Sequence, residues 1–341
     1  MRKIRIVQIG VNRYSHALPI WSTLCRNETE FEVAGYALVE DEREQFADLL
    51  GAFGGARELT LEEIWADPSI EAVAVETEEV HLTRYAQLAA AHGRHVHMEK
   101  PGGTDLAAFE RLIETVRQNG TVFHTGYMYR YNPFVEDLIA RVRRGELGEI
   151  CSVEAQMNCR HPRALREWLA GYPGGMMFFL GCHLIDLILQ LQGLPERVLP
   201  LNRTTGFEGV TAVDSGLAVL EYPRGVSFAK TCDVEIGGYQ RRQLVVTGTK
   251  GTVELKPLEA QAEGLIYTEK REYAGDVAWD VPCEKTRSPL FDRYEAMMSG
   301  FAAMVRGERD NPWTLDYELA LYRTILRCCG VEAAKKEGGP A

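Results

Sequence analysis

Residues 91–101 read Ala91-His92-Gly93-Arg94-His95-Val96-His97-Met98-Glu99-Lys100-Pro101. They join a helix end, a glycine stop, a short strand and a charged pair closed by proline. The stretch Leu82–His92 has helical spacing, and Gly93 suits the left-handed residue that follows a helix. His95–Met98 reads as a strand. The same alternation extends in both directions. Upstream, Ile4–Ile9 is an Ile/Val-rich strand ended by Gly10, and a helical stretch follows over Ser15–Cys25. Phe31–Leu38 is a second strand, Asp41–Leu50 a second helix closed by Gly51, and Glu71–Thr77 a third strand. Thr60-Leu61-Glu62-Glu63 is a capping box. Downstream, Thr104 or Asp105 caps a helix to Asn119, Gly120 ends it, and Thr121–Tyr127 is another strand. Strands alternating with helices predict a doubly wound parallel sheet of Rossmann type. Such sheets bind ligands at the carboxyl ends of their strands, here Gly10–Ser15, Val39–Asp41, Thr77–His81 and Glu99–Pro101.

The rhythm changes after residue 125. Asn132-Pro133 opens a helix that ends near Gly145: asparagine is a good N-cap and proline is tolerated at the first helical position. Ile150–Arg160 alternates, with Val153, Ala155 and Met157 on one face and Glu154, Gln156 and Asn158 on the other, a half-exposed strand. Leu180–Leu191 reads as an apolar helix. Strands are expected at Ser215–Glu221, Val226–Cys232, Gln243–Thr247 and Thr252–Leu255, with a turn at Thr249-Lys250-Gly251. Helices return at Phe291–Arg306 and Leu315–Glu332, and the tail after Lys335 is expected to fray. This predicts a C-terminal α+β domain with a large, mainly antiparallel sheet. The domain division is 1–125 and 126–341.

Bulk composition narrows the function. The chain has 341 residues, 45% apolar and 26% charged, which suits about two globular domains. Its net charge of −11 argues against nucleic acid, whose phosphates need a basic face. The longest apolar stretch, Gly174–Leu191, contains His183, Asp186 and glycines, and reads as a buried helix rather than a membrane span. The N-terminal apolar run is too short for a secretory leader. Eight cysteines without a Cys-x-x-Cys pair predict reduced thiols, and hence a cytoplasmic protein.

After the first strand, a dinucleotide turn usually reads Gly-x-Gly-x-x-Gly. Here Gly10-Val11-Asn12-Arg13-Tyr14-Ser15 keeps only the first glycine. Asn12 tolerates left-handed geometry and Ser15 is small; an ordinary strand–helix turn would read the same way. Glu40, after the second strand, is placed to bond the ribose of NAD and to repel the extra phosphate of NADP, although it or Asp41 would equally cap the next helix.

Several motifs, in order, resemble the glucose–fructose oxidoreductase / inositol dehydrogenase / MocA family. They are Gly93-Arg94-His95-Val96-His97-Met98-Glu99-Lys100-Pro101, Gly126-Tyr127-Met128-Tyr129-Arg130-Tyr131-Asn132-Pro133, Leu147-Gly148-Glu149-Ile150, Gly174-Gly175 with Gly181-Cys182-His183 and Asp186, and Thr247-Gly248-Thr249-Lys250-Gly251. The resemblance spans nearly the whole chain. It implies a nicotinamide-dependent oxidoreductase acting on a sugar, cyclitol or related carbinol or ketone, with Lys100 and His183 at the reacting centre. Gly10, Val11, Asn12, Arg13, Glu40, Thr77, His81, Glu99 and Lys100 would bind NAD or NADP, with NAD favoured. Tyr129, Asn158, Arg160 and Trp168 would contact substrate, and Asp186 would be structural. It also implies a cis Lys100–Pro101 bond and a homodimer or homotetramer built on the large sheet, without nucleic-acid or membrane partners.

Two positions depart from the family. The aspartate often found four residues before the histidine is Phe179. The loop usually reading Thr-Pro-x-x-x-His is Thr77-Glu78-Glu79-Val80-His81, one residue shorter and acidic beside the expected pyrophosphate. Two other activities therefore stay open: an NAD-dependent glycoside-cleaving enzyme using transient oxidation, and a non-catalytic ligand-binding or regulatory protein. No metal site is expected. His92, His95 and His97 do not converge, and Cys159 and His161 with Cys151 form a weak pattern.

Overall fold

The structure is a computed structural model and describes residues 2–275, 279 and 282–331. The chain forms two compact units, residues 1–128 with 293–319, and residues 129–292 with 320–341.

The first unit is built on strands β1 (Ile4–Ile9), β2 (Phe31–Ala37), β3 (Ala72–Val75), β4 (His95–Met98) and β5 (Phe123–Thr125). They form one parallel sheet in the order β2-β1-β3-β4-β5. The connecting helices are α1 (Ala17–Arg26), α2 (Glu42–Gln45), α3 (Leu61–Ala66), α4 (Leu82–Ala91) and α5 (Leu106–Asn119). Local chemistry sets their ends. Thr60 and Glu63 make the expected reciprocal capping box, Asp105 caps α5, and Gly120 closes it in left-handed geometry.

The helix expected over Asp41–Leu50 is a single turn. Asp41 does not cap it through its side chain; its carboxylate accepts from Gln45. The Glu42 carboxylate instead accepts from the backbone N–H of Val39 and from Thr77 Oγ1. Phe46 and Phe53 turn into a core with Val11, Ala17 and Trp21, where Phe53 stacks on Tyr36 at 4.0 Å and meets Trp21 edge-on at 4.9 Å. Aromatic burial therefore decides this segment, against helical spacing.

The second unit opens with α6 (Pro133–Arg143), capped by Asn132 as expected. It continues through β6 (Ile150–Asn158), α7 (Arg163–Leu169), α8 (Met176–Phe179), α9 (Gly181–Gln192), β7 (Arg197–Pro200), β8 (Ser215–Tyr222), β9 (Gly225–Cys232), β10 (Gln243–Gly248), β11 (Gly251–Leu255), the hairpin β12 (Ala260–Ala262) and β13 (Leu265–Tyr267), β14 (Glu269–Tyr273) and β15 (Cys283–Arg287). Of the last helices, α10 (Glu295–Val305) belongs to the first unit, and α11 (Leu315–Cys328) begins in the first unit and ends in the second. The frayed tail expected after Lys335 lies outside the described residues.

Eight strands form one sheet in the order β15-β14-β11-β10-β6-β9-β8-β7. Every pairing is antiparallel except β6–β9. Helix α9 packs on β6 and β9. Gln156 donates to the Arg241 carbonyl and Asn158 to Glu235, so both, expected on an exposed face, are buried under the 235–242 turn. Gly175 makes the loop before α8 possible. Its φ is +47°, and a Cβ there would lie 2.3 Å from the Val213 carbonyl oxygen. All eight cysteines are free thiols. No helix among the described residues is long and apolar enough to cross a membrane.

Candidate active site

In the first unit, β1 ends at Gly10, whose φ is +89° and whose Cβ would fall 2.5 Å from that of Thr77. Only glycine lets the turn lie this close to the end of β3. Asn12, where many dinucleotide turns have their second glycine, folds inward. Its amide donates to Glu79 at 3.0 Å, and its oxygen accepts from the Tyr14 N–H at 3.1 Å. Ser15 Oγ accepts from the N–H of Ala17 at the start of α1. The Arg13 guanidinium is held by Asp48 at 2.6 and 2.9 Å. Val11 is in the apolar core.

The carboxyl edge of this sheet carries a buried acid–base cluster. Glu76, Glu79, His97, Glu99 and Lys100 are each at most 1% exposed. Glu99 accepts from His16 Nδ1 at 3.0 Å, and Lys100 Nζ lies 3.8 Å from Glu99. Burial pushes the Glu99 carboxyl up, but the charges of His16 and Lys100 outweigh it and hold the carboxyl below its ordinary range. Its neighbours differ. Burial pushes Glu79 up to about 8 despite the opposing Lys100 charge. Glu76 is raised well above the ordinary range by burial, then by Glu99 and Glu79. Neither Glu76 oxygen has a hydrogen-bond partner among the described residues, and Oε1 lies 3.5 Å from His97 Nε2. Burial pushes His97 down to about 4. Burial thus disfavours charge on Glu76 and Glu79, while Glu99 stays ionised beside Lys100. Of the two acids in the loop after β3, Glu79 titrates near 8, which weakens the electrostatic objection at that position. The Lys100–Pro101 bond is cis.

Glu40 adopts φ +51°. Its Oε1 accepts from Arg84 and from the Tyr85 hydroxyl, both at 2.7 Å, and His81 Nδ1 lies 3.8 Å away. Thr77 is buried and donates to Glu42 at 2.5 Å.

In the second unit, His183 lies in the first turn of α9 at 1% exposure, edge-on to Tyr129 at 5.2 Å. The Tyr129 hydroxyl accepts from Arg242 at 3.3 Å, and Arg242 is ion-paired to Glu259 at 2.5 Å. Asn158 donates to Glu235 at 2.6 Å, and its carbonyl accepts from Arg242. Asp186 is a structural anchor, bonded to Arg130 at 2.8 and 3.0 Å and to Gln190 at 2.9 Å. Phe179 joins an aromatic wall, 5.6 Å from Trp168 and 6.0 Å from His161, with Tyr172 4.5 Å from Trp168. Arg160 is exposed and lies over Phe207 at 5.2 Å.

The first unit therefore brings Gly10 to Thr77 and Glu99 to Lys100. The second packs His183 against Tyr129 and joins Tyr129 and Asn158 through Arg242. Sequence reasoning did not single out His16, Glu76, Arg242 or Glu259. Each is polar in an otherwise apolar or ordinary context, and its surroundings form only when the chain folds.

The residues fit a dinucleotide. The turn after β1 has a glycine where a Cβ would collide, it leads into a ten-residue helix, and burial disfavours charge on the nearby Glu79. Comparison with known proteins gives the same assignment. Residues 4–127 match the family model of an oxidoreductase family with an NAD-binding Rossmann fold, and residues 135–254 match the GFO/IDH/MocA C-terminal domain. Trans-1,2-dihydrobenzene-1,2-diol dehydrogenase of Bos taurus is 27% identical over 62% of this chain, a match that spans 63% of that protein's length. Aldose-aldose oxidoreductase from Caulobacter crescentus, solved with glycerol, superposes with a TM-score of 0.77 at 20% identity, covering 96% of this chain and 98% of that one. KijD10, a 3-ketoreductase from Actinomadura kijaniata solved with NADP and TDP-benzene, superposes with a TM-score of 0.77 at 18% identity, covering 95% and 96%.

Proposed function

Because the chain belongs to the GFO/IDH/MocA oxidoreductase family and carries its NAD-binding Rossmann domain, we propose that it is an NAD(P)-dependent dehydrogenase or reductase of a cyclic carbinol or ketone, with Lys100 and His183 as its reacting groups. The observation that carries this reading is the Lys100 ammonium, buried at the carboxyl end of β4 beside the ionised Glu99. A buried ammonium held beside a carboxylate at this strand end is placed to bind a developing oxyanion. When bound, the nicotinamide takes up or gives the hydride. His183 takes the hydroxyl proton during oxidation, since imidazole titrates near neutrality. Lys100 orients the hydroxyl and stabilises alkoxide charge. Glu99 and His16 hold Lys100 in place. Glu40 favours NAD, because its carboxylate at the end of β2 repels a 2′-phosphate.

The wall of Phe179, Trp168 and Tyr172 in place of an aspartate favours a substrate with an apolar ring face. A cyclic diol of the kind named for the bovine relative therefore belongs in the substrate panel beside sugars and cyclitols. The oligomer would be a dimer or tetramer, measurable by light scattering.

The test is calorimetric titration with NAD⁺, NADH, NADP⁺ and NADPH, followed by a substrate screen. Binding of one pair, with turnover that falls on the order of a hundredfold or more in Lys100→Ala and in His183→Ala while the dinucleotide still binds, supports the proposal. Failure of all four dinucleotides to bind at millimolar concentration overturns it, and leaves a ligand-binding protein on this fold.

A further inference from the structure

We propose that Cys159, His161 and Asp233 form a binding site for one divalent transition-metal cation, with zinc as the preferred ion. Among the described residues this group alone places three such side chains with their ligand atoms within 4.8 Å of one another. The proposal does not depend on the dehydrogenase reading.

The backbone fixes the geometry. Cys159 and His161 follow β6 two residues apart, so alternation sends both side chains to one face. Asp233 follows β9, the parallel neighbour of β6. The N–H of Cys159 donates to the Cys232 carbonyl at 2.9 Å, that of His161 donates to the Asp233 carbonyl at 3.2 Å, and Arg160 bridges to Val234. Three candidate ligands therefore stand on two strand extensions locked by main-chain bonds.

The side chains converge. His161 Nδ1 lies 3.6 Å from Cys159 Sγ and 2.6 Å from Asp233 Oδ1, and Sγ lies 4.0 Å from Oδ1. Zinc bonds of roughly 2.0–2.3 Å in tetrahedral geometry place ligand atoms roughly 3.3–3.6 Å apart. The sulfur lies closer still to Nε2, at 3.2 Å, so the imidazole ring must turn for a ring nitrogen to face an ion that Cys159 also holds. The sulfur–oxygen distance needs a small contraction, and the His161–Asp233 hydrogen bond must open as the ion enters.

A second observation points the same way. Asp233 is fully buried, and its Oδ2 has no hydrogen-bond partner among the described residues. A buried carboxylate with an unmatched oxygen is costly, and a cation bound through both Oδ1 and Oδ2 offsets that cost. Arg242 is committed to Glu259 at 2.5 Å. Thiolate, imidazole and carboxylate together suit zinc better than calcium or magnesium, which take oxygen ligands. On binding, the Cys159 thiol releases its proton to solvent and the imidazole coordinates as the neutral ring. Three protein ligands leave the fourth tetrahedral position to water or to an oxygen of a bound molecule. His161 borders Phe179, which places that position beside the aromatic wall.

The test uses the full chain, stripped with EDTA and titrated with Co²⁺. The expected result is one equivalent per chain with a near-ultraviolet thiolate-to-cobalt band that Zn²⁺ abolishes by displacement. Cys159→Ser should remove the band. His161→Gln and Asp233→Asn should weaken binding beyond the roughly tenfold to hundredfold loss typical of an outer-shell partner. Cys25→Ser, which removes an exposed thiol, should change nothing. Absence of the band in the unaltered protein overturns the proposal and leaves a hydrogen-bonded Cys–His–Asp group. A band that follows Cys25, or that survives loss of Cys159 in a folded variant, overturns it as well.

Discussion

Replacing Glu79 by glutamine should make the first unit more stable, and the gain should grow with pH. The glutamine oxygen keeps the bond accepted from Asn12, and its shape matches the protonated carboxyl. In the folded chain Glu79 titrates near 8, against an ordinary value of 4.5. The folded state thus holds a proton that the unfolded chain has lost. The stability associated with that proton is fully present below about pH 4.5 and is lost as pH rises toward about 8. Glutamine does not titrate, so it escapes this loss. One pKa unit corresponds to about 1.4 kcal/mol, so the stability difference between variant and parent should move by about 3 kcal/mol between about pH 5 and about pH 8. Other shifted groups, including Glu42 near 7 and His97 near 4, remain in both proteins and largely cancel. The assay is denaturant unfolding followed by tryptophan fluorescence, with the buried Trp21 reporting on this unit. A difference that stays flat with pH, or a variant less stable than its parent at about pH 8, refutes the claim that Glu79 is buried as a neutral acid.

Gly10→Ala places a Cβ against Thr77 at a backbone angle that alanine disfavours. It should lower stability by about 2–5 kcal/mol and abolish dinucleotide binding, as checked by thermal melting and calorimetry. Asp186→Asn removes the charge of the carboxylate bonded to the buried Arg130 and should cost about 3–5 kcal/mol, whereas the double change Arg130→Met with Asp186→Leu should cost clearly less. Equal losses in melting experiments would mean that the pair is not the anchor described above.

The crossover rhythm of the first half was legible because each element carries its own stop signals: the Thr60–Glu63 box, the Asp105 cap, and Gly93 and Gly120 in left-handed geometry. The parallel pairing of β6 with β9 was not legible, since both strands alternate in the same way whichever direction their neighbour runs. Nor was the burial of Gln156 and Asn158, which depends on what covers the sheet. Lys100 and His183 were singled out through motif order and stand as proposals. The upward shifts of Glu76 and Glu79 were not legible, because they arise chiefly from burial, which only the fold creates.

Those two acids bear on how a reduced glycine turn can still serve a dinucleotide. In the usual turn, glycines keep side chains out of the way of the phosphates. Here Asn12 has a side chain, and Glu79 draws it inward and away from the turn. A protonated Glu79 can both accept from the asparagine amide and leave the anion site without a negative charge. Ionised, it would accept the same bond while repelling a phosphate. The acid in the shortened loop and the asparagine in the degenerate turn therefore read as one paired change rather than two separate losses. On that argument Asn12→Gly alone should not restore a better phosphate site. It would leave the Glu79 carboxyl without its donor, and dinucleotide affinity should improve only when Glu79→Gln is made as well.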